Sequence, residues 1–157
     1  MGWRSIAPVV GAAVLIAIAA AVRAQQSGLP EGLTILGDPL TIEQVEIGRK
    51  VYAANCASCH GTNLEGQPNW KRRLDNGRMP APPHDESGHT WHHSDKALFT
   101  ITKGGLAAIA PNYESDMPAF ESKLSDEEIA AVLAYIKSTW PDRARAYQAE
   151  RSKEDPL

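Results

Sequence analysis

The sequence predicts an all-α domain with long loops. Three observations carry this: helix-start signals precede each run of helical period, no segment alternates apolar and polar residues as a half-buried strand does, and Gly/Pro-rich stretches separate the periodic runs. Composition adds a constraint. Residues 1–24 hold 18 apolar residues and no acid, so the rest of the chain is only about 37% apolar. That is a thin stock for the core of one small domain, and it implies that something other than side chains helps to fill the interior. Without Arg4 and Arg23 the body carries 14 Lys+Arg against 19 Asp+Glu, a charge of −5, which excludes a basic nucleic-acid binder.

Taken in chain order, Arg4 precedes 17 uncharged residues, Ile6–Val22, and small residues follow up to Ala24. Residues 1–24 read as a secretory signal peptide. An uncleaved N-terminal membrane anchor through residues 6–22 is the alternative, although 17 helical residues reach about 25 Å against a hydrocarbon core of roughly 30 Å. Either way the body is exported. Residues 25–40 have no helical period and read as a linker or an extended arm lying on the domain. A first helix is expected from Thr41 as N-cap, with Gln44 completing a capping box and Leu40 stapling to Val45, to about Ala54. Ile42, Val45, Gly48 and Tyr52 fall near one face of it.

The two cysteines stand in Cys56-Ala57-Ser58-Cys59-His60. A disulfide three residues long closes no useful loop. A thioredoxin-like site expects a preceding strand, and a zinc site needs two more ligands, for which only the histidines at 84–93 are available. C-x-x-C-H is instead the attachment pattern of a c-type haem: two thiols for two vinyl groups and an imidazole for the iron. Residues 61–93 then have no sustained period, and a structureless segment of that length in a small domain suits a loop wrapped around a cofactor. Ser94 caps a short helix through Lys103, which Gly104-Gly105 stops. Met117, in Asp116-Met117-Pro118-Ala119-Phe120, is the leading sixth ligand, since the following proline keeps the segment extended. Met79-Pro80 is the minor candidate. The last core helix has Ser125 and Glu128 as a capping box and an apolar stripe at Ile129, Val132, Leu133 and Ile136. Beyond Pro141 the charged tail, 141–157, either forms a short surface helix or frays.

With these residues in place, the chain resembles a class I c-type cytochrome with one haem over residues 41–140. The resemblance implies the class I cytochrome c fold, three or more helices and long loops around one covalently bound haem c, with Cys56 and Cys59 as anchors and His60 and Met117 as axial ligands. It also implies that Gly48 and Tyr52 pack against Tyr135 of the last core helix, as Gly61 and the Met-Pro-Ala-Phe run match the family pattern. A proline carbonyl is expected to accept from the second nitrogen of the haem histidine. Pro68, Pro82 and Pro83 are the candidates, with the Pro82–Pro83 pair favoured.

Residues 79–93 exceed what a plain haem pocket needs. His84, His89, His92 and His93 crowd ten positions. They are either an additional copper or zinc site or braces and propionate partners, with the rest in solvent. Trp70 and Trp91 each offer an indole N–H for a propionate. Lys71-Arg72-Arg73 is either a solvated surface or a docking patch for an acidic partner. The expected function is one-electron transfer in a periplasmic chain, soluble or tethered to the membrane's outer face, with redox proteins as partners and no nucleic acid. The alternatives are a cytochrome subunit of an exported dehydrogenase or oxidase, and a haem protein with an open iron acting as peroxidase or gas sensor.

Overall fold

Two helices far apart in sequence cross at a single glycine. The computed structural model describes residues 28–156; the 1–24 leader or anchor, residues 25–27 and Leu157 lie outside the described residues. The first helix, α1 (Ile42–Asn55), starts at Thr41, whose hydroxyl accepts from the Gln44 backbone N–H at 3.1 Å. Only this half of the expected capping box forms. The fourth helix, α4 (Asp126–Ser138), has the full box: Ser125 Oγ accepts from the Glu128 N–H and Glu128 Oε2 from the Ser125 N–H. A Cβ placed on Gly48 of α1 would lie 1.8 Å from the Ala131 carbonyl oxygen and 2.9 Å from Tyr135 Cβ of α4. Only a glycine allows the two backbones this close. The close crossing buries Val51 and Tyr52 against Ile129, Val132, Leu133 and Ile136, and the Tyr52 and Tyr135 rings lie 5.5 Å apart. The Gly48–Tyr52–Tyr135 arrangement implied by the family resemblance is therefore present.

Three further helices complete the domain. The one-turn α2 (Ala57–His60) carries the C-x-x-C-H residues straight after α1. Helix α3 (Asp95–Gly104) is capped by Ser94, whose Oγ accepts from Ala97 N at 3.0 Å, and stops at Gly105 with φ +77°. Helix α5 (Asp142–Glu154) follows Pro141 and buries Ala144 and Gln148, so the charged tail is a packed helix. Among the described residues no helix is long and apolar enough to cross a membrane.

A departure from the all-α expectation lies at residues 34–39. β1 (Thr34–Ile35) and β2 (Asp38–Pro39) pair antiparallel, Thr34 opposite Pro39 and Ile35 opposite Asp38. Leu36 and Gly37 both have positive φ, as a two-residue type I′ turn requires. Strands of two residues are too short to show alternation. Ile35 and Leu40 sink into the core, and the Leu36 N–H donates to Asp95 Oδ2 at 3.0 Å, so this arm is bound to the domain.

Asp95 is also the centre of a buried polar cluster. Lys137 Nζ of α4 lies 2.9 Å from its Oδ1, with both side chains under a tenth exposed. Gln148 Nε2 of α5 donates to the same oxygen at 2.6 Å, and Ser152 Oγ accepts from the Asp95 N–H at 3.0 Å. One carboxylate thus joins the hairpin, α3, α4 and α5. Burial lowers the Lys137 ammonium below the ordinary lysine range despite the attraction of Asp95.

Candidate functional site

His60 ends α2 and is 8% exposed. Its Nδ1 lies 2.8 Å from the Pro82 carbonyl oxygen. A carbonyl only accepts, so Nδ1 carries the proton and Nε2 is left with a free lone pair. Burial holds the ring below the ordinary histidine range, with the Pro82 bond opposing, and this keeps Nε2 unprotonated. Of the three prolines, Pro82 makes this bond. Pro83 does not: its carbonyl faces Thr90 Oγ1 at 3.4 Å. Pro68 is exposed.

The Pro82 carbonyl is aimed by close backbone packing. Pro83 is fully buried, wedged where a Cβ on Gly66 would come within 2.4 Å of its nitrogen and one on Gly88 within 2.0 Å of its carbonyl oxygen. Gly66 also has φ +70°. On the other side, the Tyr52 hydroxyl donates to the Gly61 carbonyl at 2.8 Å, and the Gly66 N–H to the His60 carbonyl at 2.8 Å. The chain on each side of His60 is therefore held to α1 and to the proline segment.

Cys56 and Cys59 are free thiols at the mouth of this turn, Cys56 partly buried and Cys59 exposed. Burial, with Cys59 adding, pushes the Cys56 thiol up to about 11, so it is protonated at neutral pH. Two unpaired thiols three residues apart beside a neutral imidazole with its distal nitrogen free are a donor set that fits one covalently bound haem c.

Met117 and Met79 are both partly buried. Arg78 pairs with Asp116 and lies 3.8 Å from Glu114, so a single guanidinium joins the two Met-Pro segments. The Met117 N–H donates to Ser115 Oγ at 3.1 Å. Three residues on, the Phe120 N–H donates to the Thr102 carbonyl at 3.1 Å, anchoring the segment on α3.

The four histidines of 84–93 do not converge. Among the described residues no three of histidine, cysteine, aspartate and glutamate come together to hold a metal ion, so the geometry lends the copper or zinc alternative no support. The 3-10 turn Thr90–His92 separates His89 from His93, and His84 lies six residues before it. His84 points inward onto His60. His89 stacks on Trp70 with centroids 5.4 Å apart, and His93 meets His89 edge-on. His92 is exposed and packs with Trp91 and Tyr147. The Trp91 indole N–H faces the Glu86 carbonyl at 3.4 Å. Trp70 packs on His89, with Lys71 Nζ 4.9 Å from its ring. Lys71, Arg72 and Arg73 are exposed.

Two contributors escaped the sequence reasoning. His84 carried a signal, as part of the histidine crowd, but not its direction. Trp140, whose N–H donates to the His84 carbonyl at 2.7 Å, carried none beyond its place before Pro141.

Comparison with known proteins gives a family and several relatives. The family model described as cytochrome c matches residues 45–140. A cytochrome c6 of Picosynechococcus sp. is 30% identical over 118 residues, which cover 74% of this chain and 84% of that protein. The Cbb3-type cytochrome c oxidase subunit CcoP of Rhodobacter capsulatus is 26% identical over 106 residues, 68% of this chain. The match spans only 33% of that longer subunit. A nitrite reductase of Stutzerimonas stutzeri is 28% identical over 130 residues, 74% of this chain and 21% of that protein. No solved structure matches the chain.

Proposed function

The chain belongs to the cytochrome c family, and on that premise we propose that it is a one-electron carrier of an exported, periplasmic electron-transport chain, with no bond-making chemistry of its own. The observation that carries the proposal is the state of His60: neutral, its Nδ1 committed to Pro82, and its Nε2 free next to two unpaired thiols. Cys56 and Cys59 would hold the macrocycle as thioethers, and His60 and Met117 would take the two axial positions. When bound, a haem c supplies an Fe(III)/Fe(II) couple, and His/Met ligation sets that couple at a raised potential.

The protein's own part is to hold its donors still. Pro82 fixes the tautomer of His60 and raises its basicity as a ligand. The Gly48 crossing seats Tyr52, and the Tyr52 hydroxyl braces the backbone at Gly61. Arg78 restrains the segments bearing Met79 and Met117. Because donors would fill both faces, the centre would exchange electrons and bind no substrate. The exposed Lys71, Arg72 and Arg73 would face an acidic redox partner. Residues 1–24 would direct export, as a cleaved signal or as a tether.

One observation favours a second reading. The likeness to the CcoP oxidase subunit supports a role as the cytochrome part of a larger oxidase or dehydrogenase assembly, where the partner holds the catalytic site. Carbon monoxide addition to the reduced protein tests the carrier: a six-coordinate centre binds it slowly or not at all. Rapid binding would establish an open iron and overturn the proposal. Co-purification with a larger enzyme would move the protein to the assembly reading.

A further inference from the structure

The proposed function leaves one residue of the site unused. The His84 ring lies face to face with the His60 ring, with centroids 3.9 Å apart and planes 21° from parallel. His84 is itself immobilised at three points. Its N–H donates to the Leu64 carbonyl at 2.8 Å, and its carbonyl accepts from Trp140 Nε1 at 2.7 Å. Its Nδ1 lies 2.8 Å from Thr90 Oγ1. The Pro83 carbonyl also faces Thr90 Oγ1, at 3.4 Å, so the hydroxyl that meets the His84 ring is itself held from a second side. The Tyr52 ring closes the remaining side edge-on, 6.3 Å from His84.

A single hydrogen bond at Nδ1 sets where one edge of the His60 imidazole points. It leaves the ring free to rock about the line from Nδ1 to the Pro82 oxygen, because the angular preference of a hydrogen bond is broad. A second flat ring against the face removes that freedom. An aliphatic side chain could fill the same space, but it would not select a plane.

We propose that His84 is a positioning residue for the electron-transfer centre: its ring, held by Thr90 on a backbone that Trp140 and Leu64 fix, is a flat stop that sets the plane of the His60 imidazole and hence the direction of the Nε2 lone pair. The proposal rests on the reading of His60 as the iron ligand. The Pro82 carbonyl controls the edge of the ligand and His84 controls its face. The same contact chain, Trp140 to His84 to His60, ties the plane of the ligand to the segment that follows α4.

The test uses the full chain carrying its haem, in four forms: parent, His84→Ala, His84→Phe and Thr90→Val. Each is read for haem content, melting temperature, midpoint potential and the g values of the oxidised iron, which respond to the plane of an axial imidazole. His84→Ala is expected to keep its haem and low-spin state while its g values and midpoint potential shift. Thr90→Val is expected to shift both in the same direction by less, and His84→Phe to restore part of the parental g-value spread because it keeps a flat ring. A packing role alone would lower the melting temperature of His84→Ala and leave its g values and potential at the parental values, and that result overturns the proposal. If His84→Ala does not accumulate, parental g values and a parental midpoint potential in Thr90→Val overturn it equally. A parent lacking low-spin iron would overturn the ligand reading itself, a separate and recognisable failure.

Discussion

Replacing Gly48 with alanine puts a methyl group where the two core helices meet. The added Cβ would sit 1.8 Å from the Ala131 carbonyl oxygen, 2.5 Å from its carbon and 2.9 Å from Tyr135 Cβ. Even a tight contact needs about 3.0 Å, so α1 and α4 must part by roughly 1.2 Å, and rigid backbone, not a mobile side-chain end, has to give. Overpacking of this kind costs about 1–3 kcal/mol, and a backbone obstacle belongs at the upper end, near 3 kcal/mol. Opposing it is the helix preference of alanine over glycine, about 1 kcal/mol. The net is a loss of about 2 kcal/mol, or a fall in melting temperature of about 6–12 °C for a domain of this size. Thermal unfolding followed at 222 nm measures it. Lys50, exposed on the same helix, gives the calibration: Lys50→Ala and Lys50→Gly should differ by about 1 kcal/mol from propensity alone. If Gly48→Ala melts at or above the parent temperature, the propensity gain has won and the close crossing is not what seats Tyr52 beside His60.

The buried Asp95–Lys137 pair gives a second expectation: Lys137→Ala leaves a carboxylate 7% exposed with only Gln148 and the Leu36 N–H, and urea unfolding should show a loss of about 3 kcal/mol, the low end for breaking such a pair. Stability should also fall with acid in a defined direction. Burial first, then neighbouring positive groups, lower His89 and His93 below 6.5, so as pH drops below 6.5 the unfolded chain takes up protons that the folded one refuses, and folding weakens until the folded histidines titrate in turn. His93→Gln should flatten the fall between pH 6.5 and their lowered values; an unchanged slope would contradict the assignment. Finally, the chain with Cys56→Ser and Cys59→Ser, purified without haem, should lose most of its helical circular dichroism, because a body about 37% apolar is expected to rely on the cofactor for its core; native helix content would contradict this.

The helix starts were legible because a cap is a local event. Thr41, Ser94 and Ser125 each satisfy backbone N–H groups within three residues, and α1, α3 and α4 begin where those side chains say. The C-x-x-C-H turn was legible for the same reason: its chemistry lies in five consecutive residues. Features that depend on distant partners were not. Asp95 and Lys137 are 42 residues apart and neither looks unusual alone. The hairpin at 34–39 is too short for a pattern and is held by core burial and by Asp95. In the histidine-rich loop the sequence shows the crowd but not which ring faces inward, so a metal site and a bracing role stood side by side until His84 was seen stacked on His60. The proline carbonyl could be narrowed to Pro82 or Pro83. Choosing between them depended on Gly66 and Gly88, which grip Pro83 from both sides.

The proposal that one haem is held between His60 and Met117 is tested most directly by the visible spectrum of the oxidised and reduced full chain, repeated on Met117→Ala. The parent should show a low-spin c-type spectrum with the weak sulfur-to-iron(III) band, and the variant should keep its covalent haem while losing that band. Survival of the band in Met117→Ala would contradict the ligand assignment and hand the sixth position to Met79, on the other segment that Arg78 restrains.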